Sequence, residues 1–148
     1  MPEKETLERA KEDKREGKSP STQAGEFVRE EIEHIREGKH DARSAKQAIA
    51  IGLSKARRAG VKLGTPKKGT VSEETREQAV RDSRKGKIGS TGKTSTKRSR
   101  ATLRALKREG HSAASKLALS RQAHKAAAKR SAASRSRSAK KAAATRKK

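Results

Sequence analysis

The chain has 148 residues, with 41 lysines and arginines against 17 aspartates and glutamates, and a formal net charge of +24 at pH 7. Such a charge opposes compaction and attracts polyanions. Leucine, isoleucine, valine and phenylalanine together number 17. Burying them at about 1.5–3 kcal/mol each cannot offset the roughly 1–2 kcal/mol of backbone entropy that every ordered residue loses. The composition therefore predicts a mostly disordered, all-α chain with short helices and no sheet.

Other absences narrow the class of protein. The sequence has no cysteine, which excludes a disulfide framework and a thiolate metal site. No apolar run approaches the roughly 18 residues of a membrane span. The charged N-terminus lacks the apolar stretch of a secretory signal. We therefore expect a cytoplasmic protein with no membrane partner.

In chain order, residues 1–22 form a charged segment whose opposite charges lie three or four residues apart, which is typical of a frayed, solvated helix. Residues 24–59 are predicted to form a helical hairpin. Its second helix, within 41–59, should begin at Asp41 or Ser44 and end before Gly60. Small and apolar residues form a continuous stripe along that helix: Ala45, Ala48, Ile49, Gly52, Leu53 and Ala56.

The rest of the chain is increasingly basic. Residues 60–72 read as a linker, and residues 73–84 as a short helix that begins after Ser72. Residues 85–148 are a low-complexity basic tail with marginal helices. From residue 83 to the end there are 22 basic side chains and 1 acidic one, Glu109.

The sequence contains one internal echo. The string REGKHDARS at 36–44 recurs, one residue shorter, as REGHSAAS at 108–115. In each copy a glycine and a histidine stand between two segments that favour helix. The sequence alone does not decide between duplication and chance as the origin of the echo.

Motifs for catalysis or cofactor binding are weak. Residues 89–95, GSTGKTS, resemble a phosphate-binding P-loop, but Lys87 occupies the position where that motif requires its first glycine. The four histidines, 34, 40, 111 and 124, have no cysteine partners and no i, i+4 pairing. We therefore predict no catalytic residue, no metal site, no cofactor and no small-molecule substrate, and the chain is not expected to be an enzyme.

The tail points instead to nucleic acid, because each contact between a cation and a phosphate releases a condensed counterion. Residues 83–148 contain no aromatic side chain for stacking on bases, which favours DNA over single-stranded RNA. We expect phosphate contacts without base readout. The candidate residues are Lys93, Lys97, Arg98, Arg100, Arg104, Lys107, Arg108, Arg121, Lys125, Lys129, Arg130, Arg135, Arg137, Lys140, Lys141, Arg146, Lys147 and Lys148.

The segment from Ser44 to Arg57, SAKQAIAIGLSKAR, resembles a family of small basic bacterial proteins of unknown function. Residues 98–148 resemble the tail of longer members and, in composition only, histone tails. The resemblance implies a bacterial origin but no site. We expect a histone-like, nucleoid-associated protein that binds DNA without sequence specificity. An RNA- or ribosome-associated protein is one alternative. The other is a protein-interaction module in 24–59 with a solubilising tail.

Overall fold

The computed structural model describes residues 1–89 and 95–146. Those residues form seven α-helices, with a 3₁₀ turn at His111–Ala114, and they contain no strand beyond one isolated bridge between Lys68 and Val71. None of the described helices is long and apolar enough to cross a membrane. The helices are α1 (Lys4–Arg15), α2 (Pro20–Arg36), α3 (Ala45–Arg58), α4 (Glu73–Ile88), α5 (Thr96–Leu106), α6 (Lys116–Ala128) and α7 (Ala132–Arg146).

The prediction that the chain is mostly, and intrinsically, disordered is wrong, because the described residues form a well-folded all-α protein. The count of large apolar residues omitted alanine. In the described parts of the chain, Phe27, Ile32 and Ile35 are the only large side chains in a buried apolar core whose other members are all alanines. Alanine loses no side-chain entropy when it is buried. Alanine, lysine and arginine also favour helix strongly, and they make up much of 96–146, where three helices form.

Helices α2 and α3 pack against each other in antiparallel directions. Gly52 on α3 faces Val28 on α2 so closely that a Cβ at position 52 would lie 2.7 Å from the Val28 Cα. On one side of this contact, Phe27 packs with Ala56; on the other, Ile35 packs with Ala48. The core therefore runs along the whole interface of the two helices.

The start and end of α3 follow the signals in the sequence. The Ser44 side chain, rather than Asp41, accepts a hydrogen bond from the Gln47 backbone N–H and caps the helix. At the other end, Gly60 adopts a positive φ of 90°, and the Val61 N–H donates to the Ala56 carbonyl. That bond is typical of a glycine-terminated helix.

Two further helices cover the hairpin. Helix α1 packs on α2, and α4 packs on α3. Gly86 lets α4 approach the end of α3, because a Cβ there would lie 2.0 Å from the Arg57 carbonyl oxygen. We call residues 1–89, which contain α1–α4, the helical bundle.

The C-terminal arm, residues 95–146, docks on this bundle through its 3₁₀ turn. Ala113 and Ala114 of the turn are buried in the same cluster as Ile35. The Arg36 Nε donates to the Ala114 carbonyl at 3.1 Å. His111 Nδ1 lies 3.0 Å from the Ile35 carbonyl oxygen. The arm is thus attached to the end of α2.

The two copies of the internal echo meet at this attachment. Both contain a glycine with positive φ, 73° at Gly38 and 89° at Gly110. Both end in a serine that caps the next helix, Ser44 for α3 and Ser115 for α6. The two copies of the echo therefore form two similar turns, each of which connects two helices.

Candidate nucleic-acid interface

The bundle neutralises many of its own cations. Lys55, for example, contacts the carboxylates of both Glu30 and Glu31, and the Arg58 Nε lies 2.7 Å from Asp82 Oδ1. Burial alone would lower the pKa of Lys55, but its hydrogen bond to Glu31 and the nearby negative charges raise it overall. These cations are therefore held as partners of acidic side chains within the fold.

The C-terminal arm has no such compensation. Within residues 95–146 the only acidic side chain is Glu109, and no lysine or arginine of this part of the chain forms an ion pair with a carboxylate. Uncompensated cations produce a local positive potential that attracts polyanions. The separation of charge seen in the sequence thus persists in three dimensions.

The structure places the predicted phosphate-binding residues on three helices and the turns after them, and every one that it describes is exposed. Lys93, Lys147 and Lys148 lie outside the described residues. Helix α5 carries Lys97, Arg98, Arg100 and Arg104, followed by Lys107 and Arg108; α6 carries Arg121 and Lys125, followed by Lys129 and Arg130; α7 carries Arg135, Arg137, Lys140, Lys141 and Arg146.

Two of these candidates are partly engaged within the arm. Arg130 donates to the Ser134 carbonyl at 2.9 Å and also contacts the Ser138 hydroxyl. Arg135 Nη1 lies 3.5 Å from the Ala127 carbonyl oxygen. These bonds connect α6 to α7 and leave the guanidinium groups exposed and without a carboxylate.

Arg121 and Lys125 are brought together with two cations that the sequence did not single out. They line a cleft of about 240 Å³ opposite Arg43 and Lys46, which flank the first residue of α3. We call these four side chains and the space between them the basic cleft. Its remaining lining residues are Ser44, Ala45, Ser112, Ala113, Ala118 and Gln122, with no carboxylate among them.

Local structure strengthens the positive potential of the basic cleft. The N-terminus of α3 opens toward it, and a helix N-terminus carries about half a positive charge. The backbone there is fixed by the Ser44 cap and by the bond from the Arg43 N–H to Gln47 Oε1, 2.8 Å. Backbone dipole and side-chain charges therefore favour an anion at the same place.

A second cluster of polar side chains lies away from the basic cleft, where α2 meets the turn that precedes α3. One ligand atom each from Glu31, His34 and His40 lies within 4.8 Å of the others. The sequence did not group these residues. The Glu31-x-x-His34 spacing on a helix is the signal that was available, since residues three apart share a face.

The comparison with known families concerns the bundle. Residues 14–69 match a family described only as a family of unknown function (DUF6496). The match includes α2, α3 and the linker up to Gly69, and the C-terminal arm lies outside it. No curated protein and no solved structure matches the chain. Residues 14–69 therefore contain an uncharacterised domain.

Proposed function

We propose that the protein is a non-enzymatic DNA-binding protein that contacts phosphates without reading the sequence. The observation that carries this proposal is the contrast in charge pairing: the bundle pairs many of its cations with its own carboxylates, whereas the lysines and arginines described in 95–146 pair with none. A duplex can supply the missing negative charges, and each phosphate contact releases a counterion.

The basic cleft would hold one phosphate-backbone segment where the arm meets the bundle. Arg43, Lys46, Arg121 and Lys125 approach it from two sides, and the N-terminus of α3 adds backbone N–H groups. Helices α5 and α7 would extend the contacts along the duplex. The arm would then bind as a folded surface, which differs from a flexible polycation.

Duplex DNA is favoured over single-stranded nucleic acid. The chain's one aromatic residue, Phe27, is fully buried in the bundle core, so it cannot stack on a base. Proteins that bind single strands depend on such stacking. Binding to structured RNA or to the ribosome is the alternative outcome of the test.

As part of the same proposal, the resemblance of the Ser44–Arg57 segment to small basic bacterial proteins favours a bacterial origin, and DNA binding in a bacterium would place the protein at the nucleoid. A protein-docking role for 24–59 is less favoured. The inner faces of α2 and α3 are covered by each other, by α1 and by the 3₁₀ turn, so the hairpin has little apolar surface left for a partner.

The test is a salt titration of binding to two unrelated duplexes of equal length and to a structured RNA. One variant removes the cations of the basic cleft (Arg43→Gln, Lys46→Gln, Arg121→Gln, Lys125→Gln). The matched control removes four exposed lysines of the bundle that have no ion pair (Lys4→Gln, Lys11→Gln, Lys14→Gln, Lys67→Gln). Both variants lose the same charge.

We expect log affinity to fall linearly with log salt, with a slope of about −0.9 per phosphate contacted. The variant of the basic cleft should flatten that slope by about 3–4 units, and the control by much less. Equal losses in the two variants would mean that only net charge matters. A strong preference for one duplex, or for the RNA, would contradict the proposal.

A further inference from the structure

We infer that Glu31, His34 and His40 form a binding site for a divalent transition-metal ion, with Zn²⁺ as the best fit. The inference does not depend on DNA binding. Glu31 and His34 lie one turn apart on α2, and His40 reaches them from the connection between α2 and α3. Their ligand atoms lie within 4.8 Å of one another, so small rotations of the side chains would bring all three to the roughly 2.0–2.2 Å at which such atoms bind one Zn²⁺.

The orientation of the imidazole rings supports a metal site. His34 turns its Nδ1 toward Glu31 Oε1, 3.8 Å away, and its Nε2 lies 2.8 Å from Glu3 Oε1. His40 turns its Nε2 toward Glu31 Oε2, 3.3 Å away, while its Nδ1 lies 3.3 Å from the Asp41 carbonyl oxygen. Metal-binding histidines typically use one nitrogen for the ion and donate the other to a carboxylate or a carbonyl. Both rings have that arrangement.

The burial of Glu31 is the second, independent observation. Its side chain is fully buried, and among the described residues its Oε2 has no hydrogen-bond partner. A buried carboxylate oxygen without such a partner is costly. Lys55 contacts Oε1, whereas Oε2 faces the nitrogen of His40. Oε2 thus remains for a cation on the side of His40, and His34 Nδ1 approaches the same carboxylate from the side of Oε1.

The types of ligand select the metal. Two imidazole nitrogens and one carboxylate oxygen suit Zn²⁺, which binds such sets in tetrahedral geometry with water as the fourth ligand. Mg²⁺ and Ca²⁺ prefer oxygen ligands and should bind more weakly. The two histidine side chains are only 13% exposed, so the site is partly shielded and a small ion can still reach it.

The positive charge of Lys55 opposes the binding of a cation beside Glu31. The contact between Lys55 and Glu30 shows how the fold can hold the lysine and a metal ion at the same time. The Lys55 Nζ lies 3.0 Å from Glu30 Oε1. It can keep this partner while Glu31 turns toward the ion. Bound metal would join α2 to the connection before α3 and so stabilise the hairpin, since a ligand that binds only the folded state raises the melting temperature.

The four histidines make the test residue-specific in the unmodified full-length protein. Zinc chloride is titrated while the imidazole resonances are followed by NMR, with magnesium chloride as the comparison ion. We expect the His34 and His40 resonances to shift and saturate at one Zn²⁺ per chain while that of His124, exposed on α6, stays in place. No shift, an equal shift of His124, or an equal response to Mg²⁺ would overturn the inference.

Variants separate the ligands from the residue that orients them. His34→Gln and His40→Gln should weaken Zn²⁺ binding by calorimetry at least 10-fold, and Glu3→Gln by about 10-fold through loss of the outer partner of His34. The controls are His124→Gln and Glu5→Gln, which should bind as the unmodified chain does. If a ligand variant unfolds, Co²⁺ bound to the unmodified chain should show the visible spectrum of a four-coordinate ion. A six-coordinate spectrum would count against the site.

Discussion

The carboxylate of Asp82 on α4 lies 2.7 Å from the Arg58 Nε on α3, and only 1% of the Asp82 side chain is exposed. The same carboxylate accepts bonds from the Ser54 hydroxyl at 2.6 Å and from the Gln78 amide at 3.0 Å. A single buried acid thus joins α4 to α3 by hydrogen bonds. Helix α4 contributes few apolar groups to this contact, with Ala79 its one buried apolar side chain.

Asp82→Ala should therefore lower the free energy of unfolding by about 2–4 kcal/mol, because it removes three hydrogen bonds to a charged group. The measurement is urea unfolding followed by circular dichroism. The control is Glu77→Ala on the same helix, whose carboxylate is exposed and lies 3.7 Å from Arg81. Exposed pairs of this kind contribute about 0–1 kcal/mol, so equal effects of the two variants would show that α4 is not held by Asp82.

The close approach of α2 and α3 predicts opposite effects for two glycine-to-alanine variants. Gly52→Ala places a methyl group 2.7 Å from the Val28 Cα and should destabilise the protein by about 1–3 kcal/mol. Gly25→Ala, on the exposed side of α2, has no atom within 4 Å of the new methyl group. It should stabilise the helix by up to about 1 kcal/mol. Thermal melts check both; a neutral Gly52→Ala would mean that the helices are farther apart.

Local signals in the sequence were sufficient for parts of the bundle. The stripe that includes Ala48 and Ala56 identified the buried face of α3. Ser72 identified the start of α4, and its hydroxyl accepts a hydrogen bond from the Thr75 backbone N–H at 3.3 Å. These features depend on residues only a few positions apart. A capping bond or a helical stripe can therefore be read without knowledge of the rest of the fold.

Compactness could not be predicted in the same way. The argument for disorder rested on the small number of large apolar side chains, whereas Ala24, Ala48 and Ala114 are buried in the core. Long-range pairs were equally hidden. Glu31 contacts His40 because the connection between α2 and α3 reverses the chain. Arg43 and Arg121 line the same cleft because the 3₁₀ turn docks beside that connection.

Removing α7 should separate binding from stability. No residue described in α7 is buried, so deletion of residues 131–148 should leave the melting temperature of the bundle almost unchanged. The deletion removes seven cations, which should flatten the salt slope of DNA binding by up to about 6 units. A large fall in melting temperature would show that α7 supports the bundle, and an unchanged slope would show that it does not contact DNA.

The way the arm attaches to the bundle predicts that His111, which does not line the basic cleft, controls the positions of the cations that do. His111 Nδ1 lies 2.5 Å from Asp41 Oδ1 and 3.0 Å from the Ile35 carbonyl, and it adjoins the buried Ala113. His111→Ala removes the hydrogen bond to the Ile35 carbonyl and the contact with Asp41, at a cost of about 1–2 kcal/mol, and should loosen the turn that positions Arg121 and Lys125 opposite Arg43.

Hydrogen exchange is the direct measurement for this variant. We expect faster exchange in residues 111–128, with little change in α1 and α4. The salt slope of DNA binding should also flatten toward that of the variant that lacks the four cations of the basic cleft, although His111→Ala removes no lysine or arginine. His124→Ala, on the exposed surface of α6, is the control and should change neither quantity. If His111→Ala binds DNA with an unchanged slope while exchange in 111–128 increases, the cations of the basic cleft act independently of one another and the docked geometry is not needed for binding.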